Sequence, residues 1–311
     1  MDPALAAGTA AAAAALLGAS AHLGWRRYLG PPPPGLPAVL AYHKVGTPEL
    51  GGTWCTRRQF AAHLDALRGA GVRGIDTDTF AARLEAVIAA HAATESAPRR
   101  AASEGGAASE VLLTFDDAFA SFAEHAWPEL QVRRHPVLLF VISDFVGQRA
   151  RWDLPLPGRR RPHLDWPSLR ALAAAGVEFG SHSAQHRDLR RLTDAALQQE
   201  LAGSRQQLED ALGVGVRTVS YPFGRCDERV IAAAGAAGYR LGFAMCPPGP
   251  PAPPRPLALR RYGVYVIDPP SAVLDKVDPR RRLFWVQDLV TRGISAVAGL
   301  AAAASVARDR T

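Results

Sequence analysis

Short apolar segments alternate with amphipathic segments along most of the chain, and this alternation limits the folds that it can adopt. Apolar runs such as AVLAY (38–42), EVLLTF (110–115) and PVLLFVI (136–142) predict buried strands. The segments between such runs carry apolar residues at helical spacing, and several end at glycine, which predicts helices. Strand–helix repeats with short connections indicate parallel βαβ units, and about seven such units favour a closed α/β barrel over an open sheet.

Two of the predicted helices have clear start signals. DWPSLRALAAAG (165–176) places Asp165 as an N-cap before the helix and a glycine after it. TDAALQQELAGSRQQLEDALG (193–213) predicts one long amphipathic helix with Thr193 as its N-cap. These signals fix the positions of two helices between the strands.

The ends of the chain and one internal segment differ in composition from the alternating region. We expect an N-terminal segment (1–35) and a single large domain (36–285) that contains a low-complexity insertion loop (92–109). An apolar helix (286–311) is expected to follow. Its run GISAVAGLAAAASVA (293–307) is shorter than a membrane span requires, so we expect it to dock on the domain or to lie in a membrane interface.

Residues 4–25 form an uncharged, alanine-rich stretch whose length of about 20 residues suits a membrane span. The basic residues of WRRY (25–28) follow it and Asp2 precedes it, which favours a single-span anchor with its C-terminal side inside. ASA (19–21) resembles a signal-peptidase site, so a cleaved signal is a second interpretation, and a plain alanine-rich helix is a third. We therefore expect association with a membrane or the cell envelope, with the side of the membrane left open.

The charge balance and the cysteines exclude several classes of protein. The formal net charge is +7, and much of it comes from clustered arginines. Solvated loops account for such clusters, and a surface attracted to anionic lipid or an acidic polymer is the alternative. Basic and aromatic residues do not interleave as in nucleic-acid modules, so we expect no nucleic-acid partner. The three cysteines contain no CxxC pair, which argues against a disulfide framework and a zinc ribbon.

Polar residues follow four of the predicted strands at the points where those strands end. TFDD ends in Asp116 and Asp117, SHSAQH contains His182 and His186, SYPFG contains Pro222 and Gly224, and LAYHKV contains His43. In parallel α/β barrels the loops after the carboxyl ends of the strands carry the chemistry. The sequence therefore predicts that these groups meet on one rim.

Two imidazoles and one carboxylate are the protein ligands of many catalytic zinc sites. Adjacent carboxylates on an extended segment point in different directions, so one of the two aspartates can bind a metal while the other faces a water molecule as a general base. A backbone N–H beside Pro222 would stabilise an oxyanion. An isolated HxxxH is more often incidental, and an isolated DD is usually a turn or a helix cap. Their joint placement after strands favours metal-assisted hydrolysis of an amide or ester.

These motifs resemble those of the polysaccharide deacetylases, also called the NodB-homology domain or carbohydrate esterase family four. TFDD resembles the first motif of the family, HSAQH resembles its H-[ST]-x-x-H motif, and SYPFG resembles a variant of its R-x-P-Y motif. The likeness spans about residues 38–268. The stretches YHKV, FAAHLDALRGAG and WPSLRALAAAGVEFGSHSAQHRDL are similar to the branch that acts on β-1,6-linked poly-N-acetylglucosamine and related exopolysaccharides.

The resemblance implies a distorted (β/α)₇ barrel and a metal-dependent N-deacetylase of N-acetylated sugars. Asp116 would be the catalytic base, and the N–H of Phe223 would help to hold the oxyanion. Asp117, His182 and His186 would bind Zn²⁺, or Co²⁺, Ni²⁺ or Mn²⁺ in its place.

The sequence departs from the family in three places. Ser220 stands where the third motif usually has the arginine that positions the base, and Arg260 or Arg261 is a candidate substitute. No histidine follows His186, although the family has a late histidine as general acid, and His43 is our candidate replacement. A structural histidine that is hydrogen-bonded at the strand end is the other interpretation of His43. No DxxDW-like fourth motif is present.

The sequence thus predicts a membrane-associated hydrolase that removes N-acetyl groups from N-acetylhexosamine units of a cell-envelope or extracellular polysaccharide. One alternative is a deacylase of a lipid-linked amino sugar, and another is a catalytically weak glycan-binding domain of the same fold. The glycan is the expected partner. Core packing is the expected role of Trp166, and the candidate substrate-binding residues are Tyr221, Pro222, Trp152 and Arg260.

Overall fold

A computed structural model of the chain describes residues 35–47, 52–95, 110–149, 161–245 and 253–278, together with residues 33, 247, 248 and 281. The predicted segments 4–25 and 293–307, and Trp152, lie outside these residues. The strands of the described part are β1 (Ala38–Tyr42), β2 (Lys44–Val45), β3 (Trp54–Cys55), β4 (Arg73–Gly74), β5 (Glu110–Phe115), β6 (Leu138–Val141), β7 (Glu178–Ser181), β8 (Thr218–Ser220), β9 (Leu241–Ala244), β10 (Leu259–Arg260) and β11 (Tyr262–Gly263).

One large sheet forms the centre of the described fold. Its strands run in the order β10-β9-β8-β7-β6-β5-β1-β11, with β4 paired to β5, and all of these pairings are parallel. Its two end strands, β10 and β11, are separated in sequence by Arg261 alone. The ends of the sheet therefore come close together, and the sheet curls into a nearly closed barrel. This arrangement confirms the predicted distorted (β/α)₇ class.

The central strands are buried along their whole length because helices cover the outside of the barrel. All six residues of β5 and all four of β6 are buried, as expected for parallel strands. The helices are α1 (Arg57–Gly69), α2 (Thr77–Glu95), α3 (Trp127–Val132), α4 (Trp166–Ala174), α5 (Asp194–Gln198), α6 (Ser204–Leu212), α7 (Glu228–Ala236) and α8 (Pro270–Val277). The predicted strands AVLAY and EVLLTF are found with the predicted boundaries.

Capping side chains start several of these helices. The side chain of Asp165 accepts a hydrogen bond from the backbone N–H of Ser168, and that of Thr193 accepts one from Ala196, so both predicted N-caps are confirmed. Trp166, at the start of α4, packs partly buried against the core, in agreement with its expected role.

Two segments differ from the sequence prediction. The predicted long helix 193–213 is interrupted by a π-helical stretch at Gln199–Gly203; a second π-helical stretch, Phe122–Ala126, precedes α3. Helix α2 continues to Glu95, so the first residues of the predicted loop 92–109 are helical. Among the described residues, no helix is both long enough and apolar enough to cross a membrane.

Candidate metal centre

Three side chains from two different loops meet at the carboxyl ends of β5 and β7. Asp117 follows β5, and His182 and His186 follow β7. The Oδ1 atom of Asp117 lies 3.6 Å from Nε2 of His182 and 3.7 Å from Nε2 of His186. One ligand atom from each residue lies within 4.8 Å of the other two. The structure therefore brings together the three residues that the sequence analysis proposed as metal ligands.

The spacing and the chemistry of these atoms fit a divalent cation. Zinc–nitrogen and zinc–oxygen bonds of about 2.0–2.2 Å place neighbouring tetrahedral ligands about 3.4 Å apart, close to the observed distances. Nδ1 of His182 lies 2.7 Å from the backbone carbonyl oxygen of Ser220, which can only accept, so Nδ1 carries the proton and Nε2 presents its lone pair to the cluster. Burial lowers the pKa of both His182 and His186, which keeps the imidazoles in the neutral form that binds metals.

The two loops adopt backbone conformations that are unusual for residues with a side chain. Asp117 has a φ of 71°, Ser183 of 64° and His186 of 56°, all in the left-handed region. The Ser183 hydroxyl accepts a hydrogen bond of 3.1 Å from the backbone N–H of His186. Strained backbone of this kind persists only when the surroundings hold it, and it concentrates at functional sites.

Glu200 holds the loop that carries the two histidines, and the sequence analysis did not identify it. Its carboxylate accepts a 2.9 Å hydrogen bond from the N–H of Gln185, and its backbone carbonyl accepts one of 3.1 Å from Ala184. Glu200 is buried, and burial raises the pKa of its carboxyl group. It lies in the π-helical stretch 199–203. Such bulges are frequent at functional sites, but the sequence here shows only an amphipathic helical pattern.

Asp116, the candidate base, lies beside the cluster and is paired with Arg261. The Arg261 guanidinium donates hydrogen bonds of 2.8 and 2.7 Å to the two carboxylate oxygens of Asp116. Burial is the largest single influence on Asp116 and would raise its pKa, but the charge and hydrogen bonds of Arg261, together with His182 and His43, outweigh burial and hold the pKa well below its usual range. Asp116 is therefore ionised at neutral pH, as a general base must be. Its Oδ2 atom lies 3.9 Å from Nε2 of His182.

The structure resolves the choice between the two candidate arginines. Arg261 is buried, and its guanidinium also donates a hydrogen bond of 2.7 Å to the hydroxyl of Ser220. The guanidinium of Arg260 instead lies over the ring of Tyr262, 5.2 Å from its centroid. Arg261 therefore makes the contact with Asp116 that was expected of one of these two arginines, and the Ser220 hydroxyl accepts one of its hydrogen bonds. Arg260 was also predicted to bind substrate, and the structure places its guanidinium against Tyr262.

His43 lies on the same rim, at the end of β1. Its Nε2 atom is 3.8 Å from Oδ2 of Asp116, and a quarter of its side chain is exposed. Burial is the largest influence on His43 and lowers its pKa to about 4, although the nearby Asp116 acts in the opposite direction. The imidazole of His43 is therefore neutral at pH 7 in the structure as it stands.

The turn after β8 brings Phe223 against the cluster. The ring centroids of Phe223 and His186 are 4.6 Å apart, and Phe223 has a φ of 58°. Pro222 is buried within this turn. The assignment of Tyr221 to a sugar-binding surface is corrected, because Tyr221 is fully buried and its hydroxyl donates a 2.7 Å hydrogen bond to the carbonyl of Leu257. A buried aromatic ring at the end of a core strand packs the barrel instead.

Comparisons with known proteins show what this chain is similar to. Residues 104–242 match the family model described as polysaccharide deacetylase. The match covers less than half of the chain, and it makes this region similar to polysaccharide deacetylases. YxkH of Bacillus subtilis, which is named after the same family, is 28% identical over 132 residues. That similarity covers 42% of this chain and only 43% of YxkH.

Two solved structures share the fold over most of the chain. The Streptococcus pyogenes deacetylase PplD, solved in complex with acetate, has a TM-score of 0.61 and 20% identity, and the match covers 79% of this chain and 100% of PplD. IcaB from Ammonifex degensii has a TM-score of 0.54 and 25% identity, and the match covers 76% of this chain and 94% of IcaB. The chain therefore shares its barrel fold with these two proteins.

Proposed function

We propose that the chain is a metal-dependent hydrolase that removes N-acetyl groups from N-acetylhexosamine units of a cell-envelope or extracellular polysaccharide. The observation that carries this proposal is the buried group of Asp117, His182 and His186 beside the Asp116–Arg261 pair. Similarity of residues 104–242 to the family model described as polysaccharide deacetylase supports the substrate class. The stretches that resemble the poly-N-acetylglucosamine branch favour a β-1,6-linked polymer of that sugar.

Zn²⁺ is the proposed metal because two imidazoles and one carboxylate are a common protein ligand set for catalytic zinc. Co²⁺, Ni²⁺ or Mn²⁺ would fit the same donors. When bound by Asp117, His182 and His186, the metal would polarise the acetamide carbonyl and lower the pKa of water.

Asp116 is the proposed general base. Its ionised carboxylate takes a proton from the attacking water as the new C–O bond forms at the acyl carbon. Arg261 holds both carboxylate oxygens, so it fixes the direction in which Asp116 faces the reacting water. The negative charge that develops on the acetamide oxygen as the C=O double bond becomes a single bond would be stabilised by the backbone N–H of Phe223.

His43 is the proposed proton donor to the leaving amine. Since its pKa is lowered to about 4, His43 has to gain a proton before it can give one. Asp116, 3.8 Å away, is the group that receives a proton during the attack, so we propose that this proton passes through His43 to the nitrogen. The C–N bond then breaks and leaves acetate and the free amine.

An acetate-release assay on β-1,6-linked N-acetylglucosamine oligomers tests the proposal. We expect release by wild type that chelator abolishes and Zn²⁺ restores. Asp116→Asn should retain the metal but lose about 10²–10⁴-fold in turnover, as expected for the loss of a general base. Asp76→Asn is the matched control, because asparagine can also accept the hydrogen bond from Thr79, and Asp76 lies beside Glu178 at the amino end of β7, opposite to the cluster.

The other outcomes of this assay separate the alternatives. Metal binding without acetate release from any acylated sugar would favour a glycan-binding domain. Release from a lipid-linked amino sugar alone would favour the lipid-linked deacylase. Full activity of Asp116→Asn would show that the base is wrongly assigned.

We also propose that the protein is associated with a membrane or the cell envelope. This part of the proposal depends on the apolar run 4–25, which lies outside the described residues. Fractionation of cells that express the full chain, and a variant that lacks residues 4–25, would test it. Equal recovery of both proteins in the soluble fraction would contradict the proposal.

A further inference from the structure

The backbone of Asp117 needs support from elsewhere in the chain. Asp117 and the following Ala118 have φ values of 71° and 49°. For a residue with a Cβ atom the left-handed conformation is unfavourable, so two such residues in succession need contacts that hold them. Asp117 must nevertheless stay in this conformation, because its carboxylate lies between the two histidines of the cluster.

A segment that precedes α4 supplies part of this support. Residues 162–164 run antiparallel to residues 118–120, with Phe119 opposite His163. The backbone N–H of Leu164 donates to the carbonyl of Ala118 over 2.9 Å, and that of Ala120 donates to Pro162 over 2.9 Å. These two hydrogen bonds hold the loop beyond Asp117 but do not reach Asp117 itself.

The side chain of His163 does reach it. Its Nδ1 atom lies 2.6 Å from the backbone carbonyl oxygen of Asp117. A carbonyl oxygen can only accept, so Nδ1 carries the hydrogen and donates it. The two residues are 46 positions apart in sequence, so this bond ties together two loops that are distant along the chain.

The surroundings of His163 keep its ring in one orientation. The residue is 5% exposed, and its ring lies 4.9 Å from that of Phe119 and 5.9 Å from that of Phe145. With its hydrogen on Nδ1, the ring is held as a donor toward the carbonyl of Asp117.

We infer that His163 is a positioning residue whose Nδ1–H group holds the Asp117 carbonyl and thereby keeps the Asp117 carboxylate aimed at His182 and His186. The inference builds on the proposed metal centre and adds a residue that the family motifs quoted above do not contain. His163 acts through Asp117 and does not itself belong to the group of three ligand atoms. Partners that orient metal ligands typically contribute 10–100-fold to metal affinity.

Three substitutions of His163 show which ring nitrogen supports Asp117. Asparagine places its amide nitrogen near the position of Nδ1, glutamine places it nearer to Nε2, and leucine removes the donor while it keeps the bulk. Zn²⁺ affinity is measured by competition with a chromophoric chelator, and the visible absorption of bound Co²⁺ reports the ligand geometry. We expect His163→Asn to stay within about threefold of wild type, and His163→Gln and His163→Leu to bind about 10–100-fold more weakly with an altered Co²⁺ spectrum.

His135→Leu is the matched control. His135 is a half-buried histidine whose Nδ1 atom also bonds to a backbone carbonyl, that of Pro136 at 2.9 Å. It precedes β6 and so lies at the opposite end of the barrel. We expect this variant to bind Zn²⁺ like wild type even if its melting temperature falls. Melting temperatures of all variants separate a loss of folding from a loss of metal affinity.

The possible failures have different meanings. Wild-type affinity and an unchanged Co²⁺ spectrum in all three His163 variants would overturn the positioning role and leave the proposed function intact. Wild-type Zn²⁺ affinity in His163→Gln with reduced affinity in His163→Asn would show that the support comes from Nε2. That result would also overturn the positioning role of Nδ1. Absence of Zn²⁺ binding by wild type would refute the metal centre itself, and the inference about His163 with it.

Discussion

Arg261 donates hydrogen bonds to both carboxylate oxygens of Asp116, over 2.8 and 2.7 Å, although the two residues are 145 positions apart. Both side chains are almost completely buried. Arg261 lies between β10 and β11, where the two ends of the sheet meet. The pair therefore links closure of the barrel to the orientation of the candidate base.

Arg261→Lys should reduce turnover strongly. A lysine ammonium cannot make the two parallel hydrogen bonds of a guanidinium, so Asp116 would lose its fixed orientation. We expect kcat to fall by about 10²-fold in the acetate-release assay, with little change in bound metal.

Arg255→Lys provides the matched control. Arg255 also makes a two-pronged bond to a carboxylate, that of Glu228 over 2.7 and 2.6 Å, but this pair is exposed. Activity of Arg255→Lys should equal that of wild type. Equal activity of Arg261→Lys and wild type would mean that Asp116 does not depend on this arginine.

An exchange of the residues at positions 220 and 261 should restore part of the activity that either single substitution removes. The Ser220 hydroxyl accepts a 2.7 Å hydrogen bond from Arg261 and is fully buried, so Ser220→Arg alone would force a second guanidinium into an occupied space. Arg261→Ser alone would leave Asp116 buried without its partner. We expect the double variant, Ser220→Arg with Arg261→Ser, to exceed both single variants in kcat and melting temperature.

The comparison of the four proteins forms a double-mutant cycle. A double variant no more active than Arg261→Ser would show that position 220 cannot supply the guanidinium in this barrel. Ser220→Ala removes the hydroxyl without adding bulk. It therefore separates the loss of the hydrogen bond from Arg261 from the crowding that Ser220→Arg causes.

Glu200 should matter for metal affinity through the loop that it holds. Glu200→Leu removes the acceptor for the N–H of Gln185, so the left-handed turn that carries His186 loses a support. We expect Zn²⁺ affinity to fall by about tenfold or more, while Glu200→Gln, whose amide oxygen can still accept, should stay close to wild type. Glu209→Leu is the control, because Glu209 accepts from the N–H of Val216 at the far end of the same helical region. Equal affinities of the Glu200 variants would contradict this role.

Glu110 should contribute to the pH dependence of stability. Hydrogen bonds from Arg83 are the largest cause that lowers its pKa, to about 2, and Arg73 acts in the same direction. Since this pKa is lower in the folded chain than in the unfolded chain, the stabilisation is present above about pH 4.5 and is lost as the pH falls toward 2.

Urea unfolding of wild type and Glu110→Gln at pH 7 and pH 3 checks this prediction. We expect the variant to be less stable by about 1–2 kcal/mol at pH 7, with a difference that shrinks at pH 3. A difference that is independent of pH would indicate that packing, and not the charge of Glu110, is responsible.

Much of the barrel and the metal cluster could be predicted because they depend on local patterns. Strands buried on both faces appear as continuous apolar runs, so β1 and β5 are visible in sequence with their exact ends. Asp117 and His182 directly follow strands of one parallel sheet, and this places them on a common rim.

The supporting residues could not be predicted in the same way. β10 and β11 have two residues each and show no periodicity, so sequence alone could not decide between Arg260 and Arg261. Glu200 lies on a helix whose polar pattern does not reveal the π-helical stretch that accompanies its burial. Tyr221 was placed at the surface because its buried partner, the carbonyl of Leu257, is 36 positions away. These contacts arise only when the barrel closes.

The most direct test of the central claim is a crystal structure of the Zn²⁺-loaded protein with anomalous diffraction measured at the zinc edge. We predict one strong peak about 2.0–2.2 Å from a carboxylate oxygen of Asp117 and from Nε2 of both His182 and His186. In that structure Asp116 should remain paired with Arg261 and should not bind the metal. A peak bound by other residues, or no peak within reach of these three side chains, would contradict the account.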